Sequence, residues 1–457
     1  MDLRAPALLA TGLGVAAGAG GGAAVAVAPA RPVLLLTALA GYGLLLAVAA
    51  VSHDPRRAAV LAIAAVAATF SWSGVPVVSG LSLAEVAPLA CLPFAVVGTT
   101  RTSEPRTPLQ TAVLAAPPLV TLGGILAGTT HGASLAPVVT FALAAVTLVT
   151  TMYLLRPDRR ELDVLLLGLI AGIVLSTLVG LVLLREGSGR ATGLTIHPNQ
   201  YSMAAVMAVP LTWHLVRDGF LGRLTGVLGV LVLLAGILES GSRSGLLALA
   251  VVLFVWGYRE LGFFVTGSVA VVFAAIVATA GSLLPGADAP AVRRLTDPTA
   301  TEQSDQGRLE LFESELRAIL DGNYILGTGF VEERLPHNIL LLLWGGFGLL
   351  GLVLFLWLLS VVVGPALRRN SSPVAAFLGL GSLGFAAAVS FNNLVGASFF
   401  WFVAAISCFR VGAAPPAVQG GPEAGSAEHA RHLLDLTPHA RARGGMPSSA
   451  LRQSERL

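Results

Sequence analysis

The chain has 457 residues, of which 55% are hydrophobic and only 12% are charged, and its mean hydropathy is +0.81. A soluble globular domain carries about twice that charged fraction, so the composition excludes a soluble fold. All 28 basic residues are arginine, and the net charge of +3 indicates no nucleic-acid partner because the arginines cluster in loops and the C-terminal tail. Cys91 and Cys408 lie in apolar runs and predict buried small side chains, neither a disulfide nor a metal site.

Apolar runs long enough to cross a hydrocarbon core of about 30 Å recur along the chain. They predict an all-α polytopic membrane protein with about 12–14 transmembrane helices, since a membrane barrel would have short alternating strands. The predicted spans are 5–29, 32–51, 58–78, 82–99, 109–128, 134–155, 162–184, 199–216, 222–239, 244–258, 261–283, 338–363, 373–391 and 395–412. The start, Met1–Ala30, is similar to a signal peptide, but its apolar run is long for one, and we interpret it as an uncleaved first helix.

Arginine counts predict which loops are cytoplasmic. With the N-terminus inside, every inner loop contains arginine, at 53–57, 101–106, 156–160, 217–223, 258–260 and 368–369. Short outer loops contain none, at 79–81, 128–134 and 392–394. Residues 413–457 are polar and rich in Gly, Pro, Ala, Ser and Arg, which predicts a disordered cytoplasmic tail after a membrane domain at 1–412. Both termini are then cytoplasmic.

The long polar segment at about 284–336 is predicted to be an extracytoplasmic loop, and His337-Asn338 follows it directly. Asp305–Leu320 within it predicts an amphipathic helix with Ser304 or Asp305 as its N-cap. The apolar residues that recur there at helical spacing are Leu309, Phe312, Leu316 and Ile319 or Leu320.

Several ionisable residues fall on the predicted outer side, against the arginine bias. The segment 185–199 contains Arg190 and His197, the segment 239–243 contains Arg243, and the long loop contains Arg308. Arginine binds phosphate through a planar fork of donors and stays charged, while histidine accepts a proton near neutral pH. Together they suit a substrate with a diphosphate leaving group. No Asp-x-Asp metal motif occurs, so we expect a site without metal or other cofactor.

Each candidate also has a purely structural interpretation. Arg190 and Arg243 each follow a glutamate by four residues, a spacing that pairs opposite charges on a helix. His197 could belong to the turn that starts a helix, and Arg308 could contact lipid headgroups. His337 could be a histidine at the membrane interface that opens a helix.

The ordered motifs resemble the O-antigen ligase/polymerase superfamily over about residues 190–350. The motifs are RATGLTIHPN at 190–199, GSRSG at 241–245, the Arg308 helix with GTGF at 327–330, and His337-Asn338 followed by LLLLWGGFGLL at 340–350. The resemblance implies a membrane glycosyltransferase of the GT-C class in polysaccharide biosynthesis for the cell envelope. Such an enzyme passes a glycan from an undecaprenyl-diphosphate carrier to a sugar hydroxyl of an acceptor glycan or glycolipid, at the outer face of the cytoplasmic membrane.

The same resemblance implies roles for the candidate residues. Arg190 and Arg308 would bind the diphosphate with Arg243 as a weaker third, and His337 would activate the acceptor. His197 and Asn338 are further candidates, and ligation and polymerisation both stay open.

A transporter or flippase of lipid-linked glycans is the alternative function, and a non-catalytic membrane scaffold is a third. Transporters place ionisable groups near the bilayer midplane and contain internal repeats, and neither feature is visible in this sequence. The enzyme is therefore the favoured interpretation.

Overall fold

A computed structural model describes residues 54–78, 81–99, 107–184, 189–280, 290, 294, 302–321, 324–331, 338–390 and 396–409. These ranges contain thirteen helices and one two-stranded ribbon. All of them belong to one compact unit, Met1–Val411. The predicted spans 5–29 and 32–51 and the predicted tail 413–457 lie outside the described residues.

The helices of the first half are α1 (Pro55–Ala67), α2 (Leu83–Gly98), α3 (Pro108–His131), α4 (Ala136–Leu155), α5 (Arg159–Val182), α6 (Pro198–Arg217) and α7 (Arg223–Glu239). Those of the second half are α8 (Arg243–Leu261), α9 (Phe263–Ala280), α10 (Glu302–Leu320), α11 (Ile339–Leu367), α12 (Pro373–Val389) and α13 (Ser398–Phe409). Strands β1 (Pro76–Val78) and β2 (Leu81–Ser82) pair antiparallel just before α2.

Within the described ranges, five helices are long and apolar enough to cross a membrane, namely α3, α4, α5, α8 and α11. Three shorter helices, α2, α12 and α13, are also apolar. The protein is therefore an all-α, multi-pass membrane protein, as the hydropathy predicts.

The predicted span 58–78 is wrong, because α1 ends at Ala67. The chain then turns to make contacts with distant residues. The indole nitrogen of Trp72 donates to the carbonyl of Gly172 at 3.2 Å, and the amide of Gly74 donates to the carbonyl of Leu194 at 2.9 Å. The second contact satisfies a backbone amide that a continued helix would satisfy internally. The other predicted spans that fall on described residues coincide with helices, to within a few residues at each end.

Helix α6 lies among α5, α7, α8 and α12. Among its residues only Trp213 and Arg217 are exposed. Two of its buried hydroxyls bond to its own backbone, with Ser202 donating to the Asn199 carbonyl at 3.0 Å and Thr212 to the Ala208 carbonyl at 2.8 Å, while the Tyr201 hydroxyl donates to the Thr177 carbonyl of α5 at 3.3 Å. A helix with polar side chains can be buried when those side chains donate hydrogen bonds to backbone carbonyls.

The loops that contain Arg56, Arg159, Arg217 and Arg259 lie at one end of the bundle, and we call it the arginine-rich end. Arg56 donates to the Glu161 carboxylate at 2.7 Å and to the carbonyls of Gly98 at 3.0 Å and Arg156 at 3.1 Å. Further contacts join the remaining described loops at this end, from Arg159 to Asp218, from Arg217 to Glu260, and from Arg259 to the Pro365 carbonyl. These are loops that the arginine bias predicts to be cytoplasmic, and their sidedness stays a prediction.

We predict that Arg56→Ala destabilises the protein by about 3 kcal/mol, because it leaves the mostly buried Glu161 carboxylate without its cation. The measurement is thermal unfolding in detergent, followed by a dye that reacts with the buried thiol of Cys91.

Arg57→Ala is the matched control, since Arg57 is 82% exposed and its pair with Asp54 is worth less than about 1 kcal/mol. Equal losses in the two variants would contradict the importance of the Arg56 contacts.

Candidate functional site

The end of α6 opposite the arginine-rich end holds the predicted motif at 190–199. Here the amide of Ala191 donates to the Glu239 carbonyl at 2.9 Å, which ties the segment to the end of α7. The amide of Leu194 donates to the Ser176 hydroxyl at 2.9 Å, which ties it to α5. The segment is therefore a folded turn held between two helices.

His197 opens α6 as its N-cap. Its Nδ1 accepts a hydrogen bond from the Asn199 amide at 3.2 Å, and the residue is exposed. This is the helix-start role that the sequence offers as its structural interpretation. A substrate role for His197 stays a prediction.

Arg190 joins three segments of the chain. Its Nε donates to the carbonyl of Ser240 at 2.8 Å, and one terminal nitrogen donates to the side-chain oxygen of Asn199 at 3.2 Å. The side chain is half-buried, so it borders solvent on one side. The contacts fix the guanidinium between the start of α6 and the turn after α7, and a positioned cation needs little reorganisation to bind an anion.

The turn between α7 and α8 is shaped to receive this arginine. Gly241 has φ +63°, a left-handed conformation that favours glycine, and a Cβ there would lie 2.8 Å from Nε of Arg190. Ser242 caps α8 by accepting from the Gly245 amide at 3.2 Å, and Arg243 is the first residue of α8. Glu239 and Arg243 do not share a helix, because α7 ends at Glu239 and α8 begins at Arg243, and their predicted local pairing stays a prediction.

A third arginine, Arg294 of the long loop, reaches the same turn and donates to the Gly241 carbonyl at 3.0 Å. Arg190 and Arg294 thus place guanidinium groups on the carbonyls of adjacent residues, Ser240 and Gly241. The N-terminus of α8 adds positive partial charge at this turn. Guanidinium groups and helix N-termini are both groups that bind anions.

Sequence reasoning missed Arg294. The sequence does show an arginine here on the predicted outer side. The arginine bias of cytoplasmic loops applies only to short loops, so it did not mark this residue as exceptional.

Arg308 lies in the second turn of α10, which begins at Glu302, so the predicted N-caps Ser304 and Asp305 are wrong because both fall inside the helix. The predicted apolar face of α10 is only partly covered by the protein. Leu309 and Leu320 are 59% and 57% exposed, whereas Glu315 and Ile319 are buried.

The buried side of α10 follows helical spacing through Arg308, Phe312, Glu315 and Ile319, with the first two half-buried. Arg308 is therefore on the side of α10 that faces the protein. This position argues against a contact with lipid headgroups alone.

The buried carboxylate of Glu315 anchors α10 to α11. Its Oε1 accepts from the Thr328 hydroxyl at 2.8 Å, and a Cβ on Gly345 would overlap that oxygen. The amides of Thr328 and Gly329 both donate to the Gly345 carbonyl, at 2.8 and 3.0 Å. The motifs GTGF and WGGFG are thus two halves of one contact, in which small residues let two backbones meet.

His337 falls outside the described residues, so its predicted role stays a prediction. The next residue, Asn338, is the N-cap of α11, and its side-chain oxygen accepts from the amides of Leu340 at 2.9 Å and Leu341 at 3.2 Å. The structure gives Asn338 a helix-capping role at the start of α11.

A cavity of about 320 Å³ opens beside these segments. The starts of α2, α4, α6, α11 and α13 and the turn after α1 contribute to its lining, which includes Ser73, Glu85, Gln200 and Phe330. Gln200 accepts from the Ser73 hydroxyl at 2.6 Å, and Glu85 accepts from the Ser82 amide and hydroxyl through Oε2. Among the described residues no partner reaches Oε1 of Glu85, so this oxygen and the Gln200 amide can serve a ligand.

We call the turn at residues 240–243, with Arg190 and Arg294 bound to it, the cationic turn, and the cavity that contains Gln200 and Glu85 the polar cavity. The protein is a multi-pass helical membrane protein with both features at one end. No protein-family model matches the chain, and no curated protein is significantly similar to it. The argument for function therefore rests on these residues.

We predict that Gly345→Ala loosens α10 from α11, because the added methyl group displaces the Glu315 carboxylate. A loss of about 1.4 kcal/mol in docking free energy would speed trypsin cleavage after the exposed Arg317 by about tenfold.

The control is Gly364→Ala in the same helix, where nothing lies within 4 Å of an added Cβ. Identical cleavage rates in Gly345→Ala and Gly364→Ala would show that Glu315 does not anchor α10.

Proposed function

We propose that this protein is a metal-independent glycosyltransferase of the O-antigen ligase/polymerase type. It transfers or polymerises glycan from an undecaprenyl-diphosphate carrier onto an acceptor sugar hydroxyl, at the outer face of the cytoplasmic membrane. The observation that carries the proposal is the cationic turn, where Arg190 and Arg294 converge on adjacent carbonyls next to Arg243. The turn brings together two segments of the family resemblance, 190–199 and 241–245.

The diphosphate of the carrier suits this turn. A guanidinium donates paired hydrogen bonds to phosphate oxygens and keeps its charge at any accessible pH. Arg190 and Arg294 are held by backbone carbonyls, and Arg308 is on the protein-facing side of α10. As the glycosidic bond to the carrier breaks, negative charge grows on the leaving diphosphate, and these fixed cations stabilise it.

His337 supplies the general base in this mechanism. It takes the proton of the acceptor hydroxyl while that oxygen attacks the anomeric carbon, and the diphosphate leaves with the bonding electrons. A single displacement inverts the anomeric centre. General-base catalysis contributes about 10²–10⁴-fold in rate.

The polar cavity suits the acceptor. It shares Thr195, Ile196 and Gln200 with the stretch of chain that runs from Arg190 into α6. An acidic side chain and an amide bordered by aromatic rings are groups that sugar hydroxyls and sugar faces recognise, and a cavity of this size lies at the lower end of the range for small ligands.

We predict that Arg190→Ala, Arg308→Ala and His337→Ala each lower glycan transfer by about a hundredfold or more, because each removes charge stabilisation or the base. The measurement uses purified protein, a prenyl-diphosphate-linked glycan and an acceptor sugar. Arg223→Ala is the control, since Arg223 begins α7 at the arginine-rich end and is exposed.

Full transfer by folded Arg190→Ala, Arg308→Ala and His337→Ala variants would remove the proposal. Movement of carrier-linked glycan across vesicle membranes without a new glycosidic bond would instead favour the transporter or flippase.

We also predict that Gln200→Met raises KM for the acceptor by about tenfold and changes kcat little, because loss of one hydrogen bond to a ligand costs about 1.4 kcal/mol. Methionine keeps the shape of the side chain.

The matched control is Thr140→Val, in the same cavity, because the Thr140 hydroxyl already donates to the Ala136 carbonyl at 3.0 Å. If Gln200→Met raises KM for the lipid-linked donor instead, the cavity belongs to the donor glycan.

A further inference from the structure

Three ionisable side chains meet at the other end of α6, among the loops of the arginine-rich end. Asp163 lies in the second turn of α5, His214 lies in the last turn of α6, and Asp218 is the C-cap of α6. His214 is fully buried, and the side chains of Asp163 and Asp218 are 7% and 9% exposed. We call these three residues the Asp-His-Asp cluster.

The ligand atoms of the cluster converge. Nε2 of His214 lies 3.3 Å from Oδ1 of Asp163 and 3.8 Å from Oδ2 of Asp218. One donor atom from each of the three residues lies within 4.8 Å of the other two.

Hydrogen bonds do not account for this convergence. Among the described residues, neither nitrogen of His214 has a hydrogen-bond partner, and Oδ1 of Asp163 has none either. Leaving such groups buried and unsatisfied costs free energy, and the buried hydroxyls of α6, by contrast, are bonded. The imidazole and the carboxylate face one another at a distance longer than the usual 2.9–3.0 Å of such a bond.

We propose that the Asp-His-Asp cluster binds a divalent transition-metal ion, with zinc the best match. Zinc takes imidazole nitrogen and carboxylate oxygen at about 2.0–2.2 Å, so tetrahedral ligand atoms stand about 3.4 Å apart. The separations of 3.3 and 3.8 Å lie near that value. Nε2 of His214, Oδ1 of Asp163 and Oδ2 of Asp218 are the three protein ligands, and water takes the fourth position.

Arg159 holds the third ligand in place. It donates to Oδ2 of Asp218 from two nitrogens, at 2.8 and 3.2 Å, and such outer contacts orient ligating carboxylates. With a neutral imidazole, the two carboxylates and Arg159 carry a net charge of −1, which a divalent ion changes to +1. The ion joins α5 to α6 and has a structural role, because the cationic turn and the polar cavity lie at the opposite end of α6.

The test measures zinc bound to the full-length protein in detergent, after chelator treatment and dialysis against Zn²⁺. The wild type is expected to hold one more zinc per chain than His214→Gln and Asp163→Asn, and zinc is expected to raise its Tm by several degrees with no rise in either variant. His131→Gln is the matched control, since His131 is exposed at the end of α3, and it is expected to behave as the wild type. The comparison subtracts zinc held by other histidines, including three in 413–457.

Equal zinc content in the wild type and His214→Gln would overturn the proposal. If these variants fail to fold, the wild type alone decides, because the proposal requires chelator to lower its Tm and zinc to restore it. A Tm that responds to pH but not to zinc would identify a protonated His214 between two carboxylates instead. None of these outcomes depends on glycan transfer, so the proposed function is judged separately.

Discussion

The burial of α6 is the constraint on which the rest of the structure depends. This helix carries polar side chains through the middle of an apolar bundle, so each must find a partner without water. Ser202 and Thr212 bond to the helix itself, whereas the groups at its two ends draw partners from other helices. At one end Asn199 receives Arg190, and at the other His214 faces Asp163. The cationic turn and the Asp-His-Asp cluster are therefore attached to the same helix.

The length of α6 separates these clusters. Twenty residues of helix span about 30 Å, close to the thickness of the hydrocarbon core. The site proposed for glycan transfer and the proposed metal site therefore lie at opposite ends of the helix, and neither needs ionised groups near the midplane. The segment from Thr328 to Phe330 lies at the same end of the bundle as Arg190. This follows because Phe330 lines the cavity that also contains Gln200, near the start of α6.

Hydropathy located the helices well, because a run of about twenty apolar residues has few alternatives in a membrane. It failed at 58–78, where Trp72 and Gly74 bond to residues a hundred positions away. Helical periodicity predicted α10 but gave no sign that Glu315 is buried, since its partner Thr328 is invisible to a local pattern. The motifs indicated Arg190 and Arg243. Arg294 and the pairing of His214 with Asp163 depend on tertiary contacts that no local pattern contains.

The use of arginine as the only basic residue has a structural consequence. Guanidinium groups repeatedly donate to carbonyls at the ends of helices, from Arg56 to Gly98, from Arg190 to Ser240, and from Arg259 to Pro365. The last carbonyls of a helix have no partner within it and need donors from elsewhere. One guanidinium can close two or three helices at once, as Arg56 does, because its donors point in several directions. In this protein one arginine can therefore cap the C-termini of more than one helix. The single ammonium group of lysine would not reach carbonyls in several directions at once.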